Sequence, residues 1–237
     1  MNSPRHYLIV DDNRAFAENL AEILSGVGAT TQLVTSGLEA VEAVRRTRFS
    51  ALLTDMRMPT MSGFGLIREI RALDPGLPAV VVTAYSEDDD LEAVRRAGIL
   101  SILPKPVPVL ELVELLSCAR RNGLVAIVED DHALRDNLSE AFRSRGFAAV
   151  LAGSVRETQQ LGCVRPFAGV VDLRLPDGPD GAALRQLESR FPGLPVLVIS
   201  GIVEATPDPH LQGFFAKPFA TAALLTRLEE LHEKASA

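Results

Sequence analysis

The sequence predicts an α/β fold built as two similar domains in tandem, each a parallel sheet flanked by helices. The 237 residues suffice for two units of about 120 residues, and motifs of the first half recur in the second. Within each half, short aliphatic runs alternate with helical patterns, which is typical of a parallel sheet covered on both faces. We place the domains at 1–122 and 123–237.

The repeat begins with the first strand. Tyr7-Leu-Ile-Val10 and Val125-Ala-Ile-Val128 lie 118 residues apart, and each precedes two acidic residues. Ser36-x-x-Glu39, the pattern of a helix-capping box, recurs at the same offset as Ser154-x-x-Glu157. The offset falls to 112 between the two Lys-Pro pairs near the end of each half. The second copy has therefore lost residues late in the unit.

The elements of the first copy follow from periodicity. The aliphatic runs that predict strands are Tyr7–Val10, Thr31–Val34, Ala51–Thr54, Ala79–Val82 and Ser101–Leu103. The predicted helices are Phe16–Leu24, Leu38–Arg46, Leu66–Leu73, Leu91–Arg96 and Val109–Arg121. Gly123 is expected to end the last of these as its C′ residue.

The second copy is expected to lack the helix between its fourth and fifth strands, or to reduce it to a turn between Val203 and Gln212. Lys217 lies only 17 positions after Ser200, whereas Lys105 lies 22 positions after Thr83. The shortened stretch also contains two prolines. A proline inside a helix costs about 3 kcal/mol or more.

Composition argues against two classes of partner. A net charge of −7 does not suit nucleic acid, since binding phosphates needs clustered cations. No apolar run approaches the roughly 18 residues needed to span a membrane. Two isolated cysteines, Cys118 and Cys163, suit a reducing compartment, and the first six residues do not form a signal peptide. We therefore expect a cytoplasmic protein, with His232 on a solvated helix end.

Polar residues follow the predicted strands of the first copy. Asp12 follows the first strand and Asp55 the third, while Thr83 ends the fourth and Lys105 follows the fifth. The carboxyl ends of parallel strands form the edge at which ligands bind. Asp11 adds a third carboxylate at this edge.

These residue types suit phosphoryl transfer. Three carboxylates in one pocket repel one another and call for a cation. Ligands that are all oxygen suit Mg²⁺, which also binds phosphate. Lys105 could pair with one phosphoryl oxygen and the Thr83 hydroxyl with another, while an aspartate accepts the phosphoryl group covalently.

The second copy repeats the set. Its members are Glu129, Asp130, Asp172, Ser200 and Lys217. The spacing from acceptor to hydroxyl is 28 residues in both copies. Any one of these residues alone would be ascribed to helix capping or to the surface, but the ordered and repeated set favours a site.

Together, these residues resemble the signature of response-regulator receiver domains. The matching segments of the first copy are Val10-Asp-Asp12, Asp55-Met-Arg-Met-Pro59 with Gly63, Val82-Thr-Ala84 and Lys105-Pro106. Those of the second are Val128-Glu-Asp130, Asp172-Leu-Arg-Leu-Pro176, Ile199-Ser-Gly201 and Lys217-Pro218. The resemblance covers residues 5–121 and again 123–231.

The resemblance implies two flavodoxin-like domains, each with a five-stranded sheet of order 2-1-3-4-5. It implies phosphorylation of Asp55 and Asp172 by a histidine kinase or histidine phosphotransfer protein, and a cis peptide before Pro106 and Pro218. It also implies two Mg²⁺ sites. Their ligands would be Asp12, Asp55 and the Arg57 carbonyl, with Asp11 through water, and then Asp130, Asp172 and the Arg174 carbonyl, with Glu129 behind.

The copies depart from the family pattern at the switch position, three residues before the lysine. The family has an aromatic residue there, whereas the first copy has Ile102; the second has Phe214. Coupling between the Thr83 hydroxyl and an aromatic switch is therefore not expected in the first copy.

Several functions remain open at this point. The leading one is a phosphorylation-controlled module that acts through contacts with an unknown downstream protein. A homodimer through the first domain is also left open. Alternatives are a scaffold in which only Asp55 is phosphorylated, and a fragment of a larger hybrid kinase or cyclase. An aspartyl phosphatase of the haloacid dehalogenase type would resemble Asp-x-Asp after strand one, whereas Asp55 and Asp172 follow the third strand and have Arg at +2.

Overall fold

The computed structural model describes residues 5–84, 98–161, 165–201 and 211–236. The chain divides at Asn122–Gly123 into two compact units. Each contains one five-stranded, all-parallel sheet, in the order β2-β1-β3-β4-β5 and β7-β6-β8-β9-β10. The predicted fold class is confirmed, since both sheets have the order 2-1-3-4-5 when numbered within their own unit.

The first unit has five strands and four described helices. The strands are β1 His6–Val10, β2 Thr30–Val34, β3 Ala51–Asp55, β4 Ala79–Thr83 and β5 Ser101–Pro104. The helices are α1 Arg14–Gly26, α2 Gly37–Arg46, α3 Gly63–Leu73 and α4 Val109–Cys118. The predicted helix Leu91–Arg96 lies outside the described residues.

The second unit repeats this order with a much shorter helix after its second strand. The strands are β6 Leu124–Val128, β7 Ala148–Ala152, β8 Ala168–Asp172, β9 Val196–Ser200 and β10 Leu211–Ala216. The helices are α5 His132–Arg143, α6 Val155–Thr158, α7 Ala182–Arg190 and α8 Thr221–Ser236. The predicted loss of a helix before β10 concerns residues 202–210, which lie outside the described part of the chain.

The helix starts are specified locally. Five helices begin after a polar residue whose side chain accepts a hydrogen bond from the backbone N–H three residues on, which satisfies a donor that the helix leaves free. These residues are Asn13, Ser36, Ser62, Asp131 and Ser154. In both predicted capping boxes the glutamate side chain accepts a hydrogen bond from the backbone N–H of the residue before the cap. Glu39 accepts from the Thr35 N–H, and Glu157 accepts from the Gly153 N–H.

Three predictions about helix ends are wrong. Helix α4 ends at Cys118 instead of Arg121, and the residue with positive φ is Asn122 (56°), so Gly123 is not its C′ residue. His232 is buried, with 9% of its surface exposed, and its ring lies 5.4 Å from Phe147 and 5.1 Å from Phe167. It is therefore a core residue of the second unit and not a solvated one.

Each sheet is buried on both faces, and each unit has its own aliphatic core. The central strands β3, β4, β6, β8 and β9 are buried along their whole length. In these central strands polar side chains are confined to the carboxyl ends, which positions the site described next. None of the described helices is both long enough and apolar enough to cross a membrane.

Candidate functional site

The first unit brings its predicted polar residues together at the carboxyl edge of the sheet. Asp11 follows β1, Asp55 and Thr83 are the last residues of β3 and β4, and Lys105 follows β5. Asp11 is 2% exposed, Asp55 9% and Thr83 3%. Asp12 is exposed at the rim of this edge.

Lys105 binds two carboxylates at once. Its Nζ lies 2.7 Å from Asp11 Oδ2 and 2.9 Å from Asp55 Oδ1. Burial of the ammonium is the largest single influence on its pKa and lowers it. The hydrogen bonds to Asp11 and Asp55, together with their charges, outweigh burial, so the pKa of Lys105 is raised above its usual value. The lysine is thus held as a cation against the predicted acceptor.

The loop after β3 orients the acceptor carboxylate. The Arg57 N–H donates to Asp55 Oδ2 at 3.0 Å, while Oδ1 faces Lys105. The loop is closed by the Gly63 N–H, which donates to the Met56 carbonyl at 2.9 Å. A Cβ on Gly63 would lie 2.3 Å from the Asp55 carbonyl oxygen, so this close approach requires glycine.

The second unit builds the same arrangement with glutamate in place of the first aspartate. Lys217 Nζ lies 2.7 Å from Glu129 Oε2 and 2.6 Å from Asp172 Oδ2. The Arg174 N–H donates to Asp172 Oδ1 at 2.9 Å. Both carboxylates are buried, and the neighbouring hydroxyl residue Ser200 is fully buried.

Glu129 is 0% exposed. Its burial and its pairing with Lys217 have opposite effects on its pKa. Burial raises its pKa, whereas the hydrogen bond and charge of Lys217 lower it; the net direction is upward. For Lys217 itself burial is again the largest influence and lowers its pKa. The hydrogen bonds and charges of Asp172 and Glu129 more than offset burial, and the pKa is raised.

The acidic groups fit a hard cation. Carboxylate oxygens of Glu129, Asp130 and Asp172 lie within 4.8 Å of one another, the one such trio among the residues that the structure describes. All of these donors are oxygen and one of the residues is exposed, which suits an ion that keeps some of its waters. The predicted roles of the Arg57 and Arg174 carbonyls remain predictions.

The switch positions occupy matching places. Ile102 in β5 pairs with Val81 of β4, and Phe214 in β10 pairs with Val198 of β9. Ile102 is half-buried and packs against the core of the first unit. The peptides Lys105-Pro106 and Lys217-Pro218 are both cis, as the resemblance implies.

Sequence reasoning missed a contact in the first unit. The Lys105 ammonium lies over the ring of Phe16, 4.3 Å from its centroid. The apolar periodicity of α1 identified Phe16 only as a residue on the buried helix face. Its position in the first turn of α1, directly after the acidic pair, is the signal that could have placed it beside the lysine.

Comparison with known proteins gives a family match and several similar sequences. The family model described as the response regulator receiver domain matches residues 7–117. A response regulator receiver protein of Anaeromyxobacter sp. (strain Fw109-5) is 59% identical over 230 residues, which cover 97% of this chain and 96% of that protein. Response regulator MprA of Mycobacterium ulcerans (strain Agy99) is 33% identical over 167 residues, 70% of each chain.

A solved structure similar to one unit is the receiver domain of sensor histidine kinase PA1611 from Pseudomonas aeruginosa PAO1, with a magnesium ion coordinated in its active-site cleft. It is 32% identical, has a TM-score of 0.45, and the alignment covers 48% of this chain and 96% of that one. Each sheet edge thus has a lysine that contacts two carboxylates. The identity to the Anaeromyxobacter receiver protein extends over nearly the whole chain. The chain belongs to the response regulator receiver family.

Proposed function

We propose that the protein is a phosphorelay response regulator with two acceptor sites, Asp55 and Asp172. The observation that carries this proposal is the repeated contact of a lysine ammonium with a buried acceptor carboxylate, at 2.9 Å in the first unit and 2.6 Å in the second. A surface ion pair would not need to recur between corresponding residues at the same sheet edge.

In the proposed reaction an acceptor oxygen attacks the phosphorus of a phosphohistidine on a histidine kinase or histidine phosphotransfer protein. The new P–O bond forms as the P–N bond breaks, and the bonding electron pair leaves with the imidazole. Each acceptor is oriented in advance, because one oxygen faces the lysine and the other accepts a backbone N–H. Fixed donors of this kind stabilise the charge that develops on the phosphoryl oxygens.

Magnesium is the cofactor that the acidic residues would hold. The ligands in the first unit would be Asp12 and Asp55, with Asp11 behind, and in the second Asp130 and Asp172, with Glu129 behind. A bound Mg²⁺ would neutralise these carboxylates and the charge of an incoming phosphoryl group. Thr83 and Ser200 would donate to a phosphoryl oxygen from the neighbouring strand.

Output is proposed to occur through contacts with a downstream protein. Phosphorylation converts one of the lysine's two carboxylate partners into an acyl phosphate, so the edge of each sheet changes its charge distribution. Because Ile102 lacks an aromatic ring and Phe214 has one, we expect the two units to transmit this change differently.

Intact mass spectrometry after incubation with acetyl phosphate and Mg²⁺ tests the proposal by counting acquired phosphoryl groups. The unmodified chain should gain two, the Asp55→Asn and Asp172→Asn variants one each, and the double variant none. A single group that disappears only in Asp55→Asn would favour a scaffold role for the second unit, to which the family model does not extend. No uptake by the unmodified chain would refute the function.

A further inference from the structure

We propose that Phe16 is a positioning residue of the first site, whose ring face holds the Lys105 ammonium where it meets the phosphoryl group on Asp55. The inference rests on the proposed function of Asp55. It concerns a residue outside the polar set, and it predicts a difference between the two units.

The contact has the geometry of a cation–π interaction. Lys105 Nζ lies 4.3 Å from the centroid of the Phe16 ring, within the roughly 6 Å over which a ring face attracts an ammonium. The lysine side chain is 21% exposed and Phe16 is half-buried. Partial removal from water strengthens this attraction relative to an exposed pair.

Hydrogen bonds from backbone N–H groups to side-chain oxygens fix the backbone of Phe16 relative to the acidic pocket. The Phe16 N–H donates to Asn13 Oδ1 at 3.1 Å, and the Asn13 N–H donates to Asp11 Oδ1 at 2.9 Å. The other Asp11 oxygen binds Lys105, which lies over the Phe16 ring. These contacts form a closed circuit that fixes the backbone of Phe16, and with it the base of the side chain, beside the acidic pocket.

The second unit has the same circuit without the ring. The Leu134 N–H donates to Asp131 Oδ1 at 3.1 Å, and the Asp131 N–H donates to Glu129 Oε1 at 3.2 Å. Leu134 occupies the position of Phe16, at the common offset of 118 residues. The backbone support is therefore a shared feature, and the aromatic ring is a feature of the first unit.

A ring face suits a lysine that must change partners. In the unphosphorylated protein the ammonium binds two carboxylates, and in the phosphoryl-transfer step it must also contact phosphoryl oxygens. The ring accepts no hydrogen bond that competes with those oxygens, yet it keeps the ammonium inside the pocket. Positioning of this kind raises the rate by holding the cation in place before the reaction.

The experiment measures the rate of Asp55 phosphorylation by acetyl phosphate and Mg²⁺ in the 237-residue chain carrying Asp172→Asn. Phe16→Leu should slow the reaction by about fivefold, the factor that corresponds to a cation–π contact of ordinary strength. Phe16→Tyr should remain within about twofold of the parent. Phe49→Leu is the matched control, because Phe49 is a buried core residue before β3 and should not alter the rate.

Fluorinated phenylalanines at position 16 separate charge attraction from shape. One, two and three fluorines weaken the negative face of the ring while nearly preserving its volume, so the logarithm of the rate should fall steadily along the series. A flat series, or a Phe16→Leu rate equal to that of the parent, overturns the inference. Absence of phosphorylation in the parent itself overturns the proposed function, and the inference with it, and is distinguishable from both.

Discussion

Removal of Lys217 should destabilise the second unit, because two buried carboxylates depend on this one cation. Breaking a fully buried ion pair costs about 3–5 kcal/mol, since the remaining charge stays buried without compensation. The Lys217 side chain is 25% exposed, whereas that of Glu129 is 0% and that of Asp172 7% exposed. Allowing for solvent screening of the lysine, we expect Lys217→Met to lower the free energy of unfolding by about 2–3 kcal/mol at pH 7.

The decrease in the free energy of unfolding caused by Lys217→Met should depend on pH in a defined direction. Burial raises the pKa of Glu129 above its ordinary value, and Lys217 opposes that rise. Without the lysine the pKa in the folded state rises further, so the folded unit binds a proton more tightly than the unfolded chain. The folded state is then favoured at low pH and loses this advantage as pH rises through the raised pKa. The difference between variant and parent should therefore shrink as pH falls from about 7 to about 5.

Differential scanning calorimetry of the full chain checks this prediction. At roughly 4 °C per kcal/mol, the transition of the second unit should move down by about 10 °C at pH 7. The chain has three lysines, and Lys234 is the exposed one on α8, so Lys234→Met is the matched control. Equal transitions for Lys217→Met and Lys234→Met, or a difference that does not change with pH, would refute the reasoning.

Two further predictions concern loops beside the sites. Gly63→Ala should destabilise the first unit by about 1–3 kcal/mol, because the added Cβ would meet the backbone carbonyl oxygen of Asp55. Gly26→Ala is the control and should not destabilise it, since a Cβ there would have no neighbouring atom within 4 Å. Urea unfolding of the two variants measures the difference. The Asp177 carboxylate accepts hydrogen bonds from the backbone N–H groups of Arg156 and Val155 at the start of α6. These hydrogen bonds hold the pKa of Asp177 below its usual range. Asp177→Ala should speed hydrogen exchange at both amides at neutral pH, and in the parent this protection should fade as pH drops through that lowered pKa.

The sheet and its polar edge could be predicted because their signals are local. The aliphatic runs specify buried parallel strands, and the residues next in sequence necessarily lie at the carboxyl edge. The end of α4 could not be predicted in this way. The Arg5 guanidinium donates to the Ser117 and Ala119 carbonyls at 2.5 and 3.1 Å, so a residue more than 110 positions away satisfies the end of this helix.

The position of Arg121 beyond α4 and the burial of His232 also depend on tertiary contacts. Arg121, expected to continue α4, instead donates both hydrogen bonds of one nitrogen to the carboxylate of Asp74 at 2.6 Å. His232 lies near the chain end in a polar stretch, yet Phe147 and Phe167 supply ring edges and faces that bury it. In each case the deciding partner is distant in sequence, and the residue's own neighbourhood gives no sign of it.

Strand register explains how the second unit keeps its site geometry with five fewer residues between the hydroxyl and the lysine. The Lys105 N–H donates to the Thr83 carbonyl at 2.8 Å, and the Lys217 N–H donates to the Ser200 carbonyl at the same distance. The residues before the two lysines also pair with these hydroxyl residues across the sheet. The shortening is therefore absorbed before the last strand begins, and backbone pairing sets where the lysine emerges. Because that pairing does not depend on the connecting segment, the segment can diverge between the units while the ammonium stays beside the acceptor carboxylate.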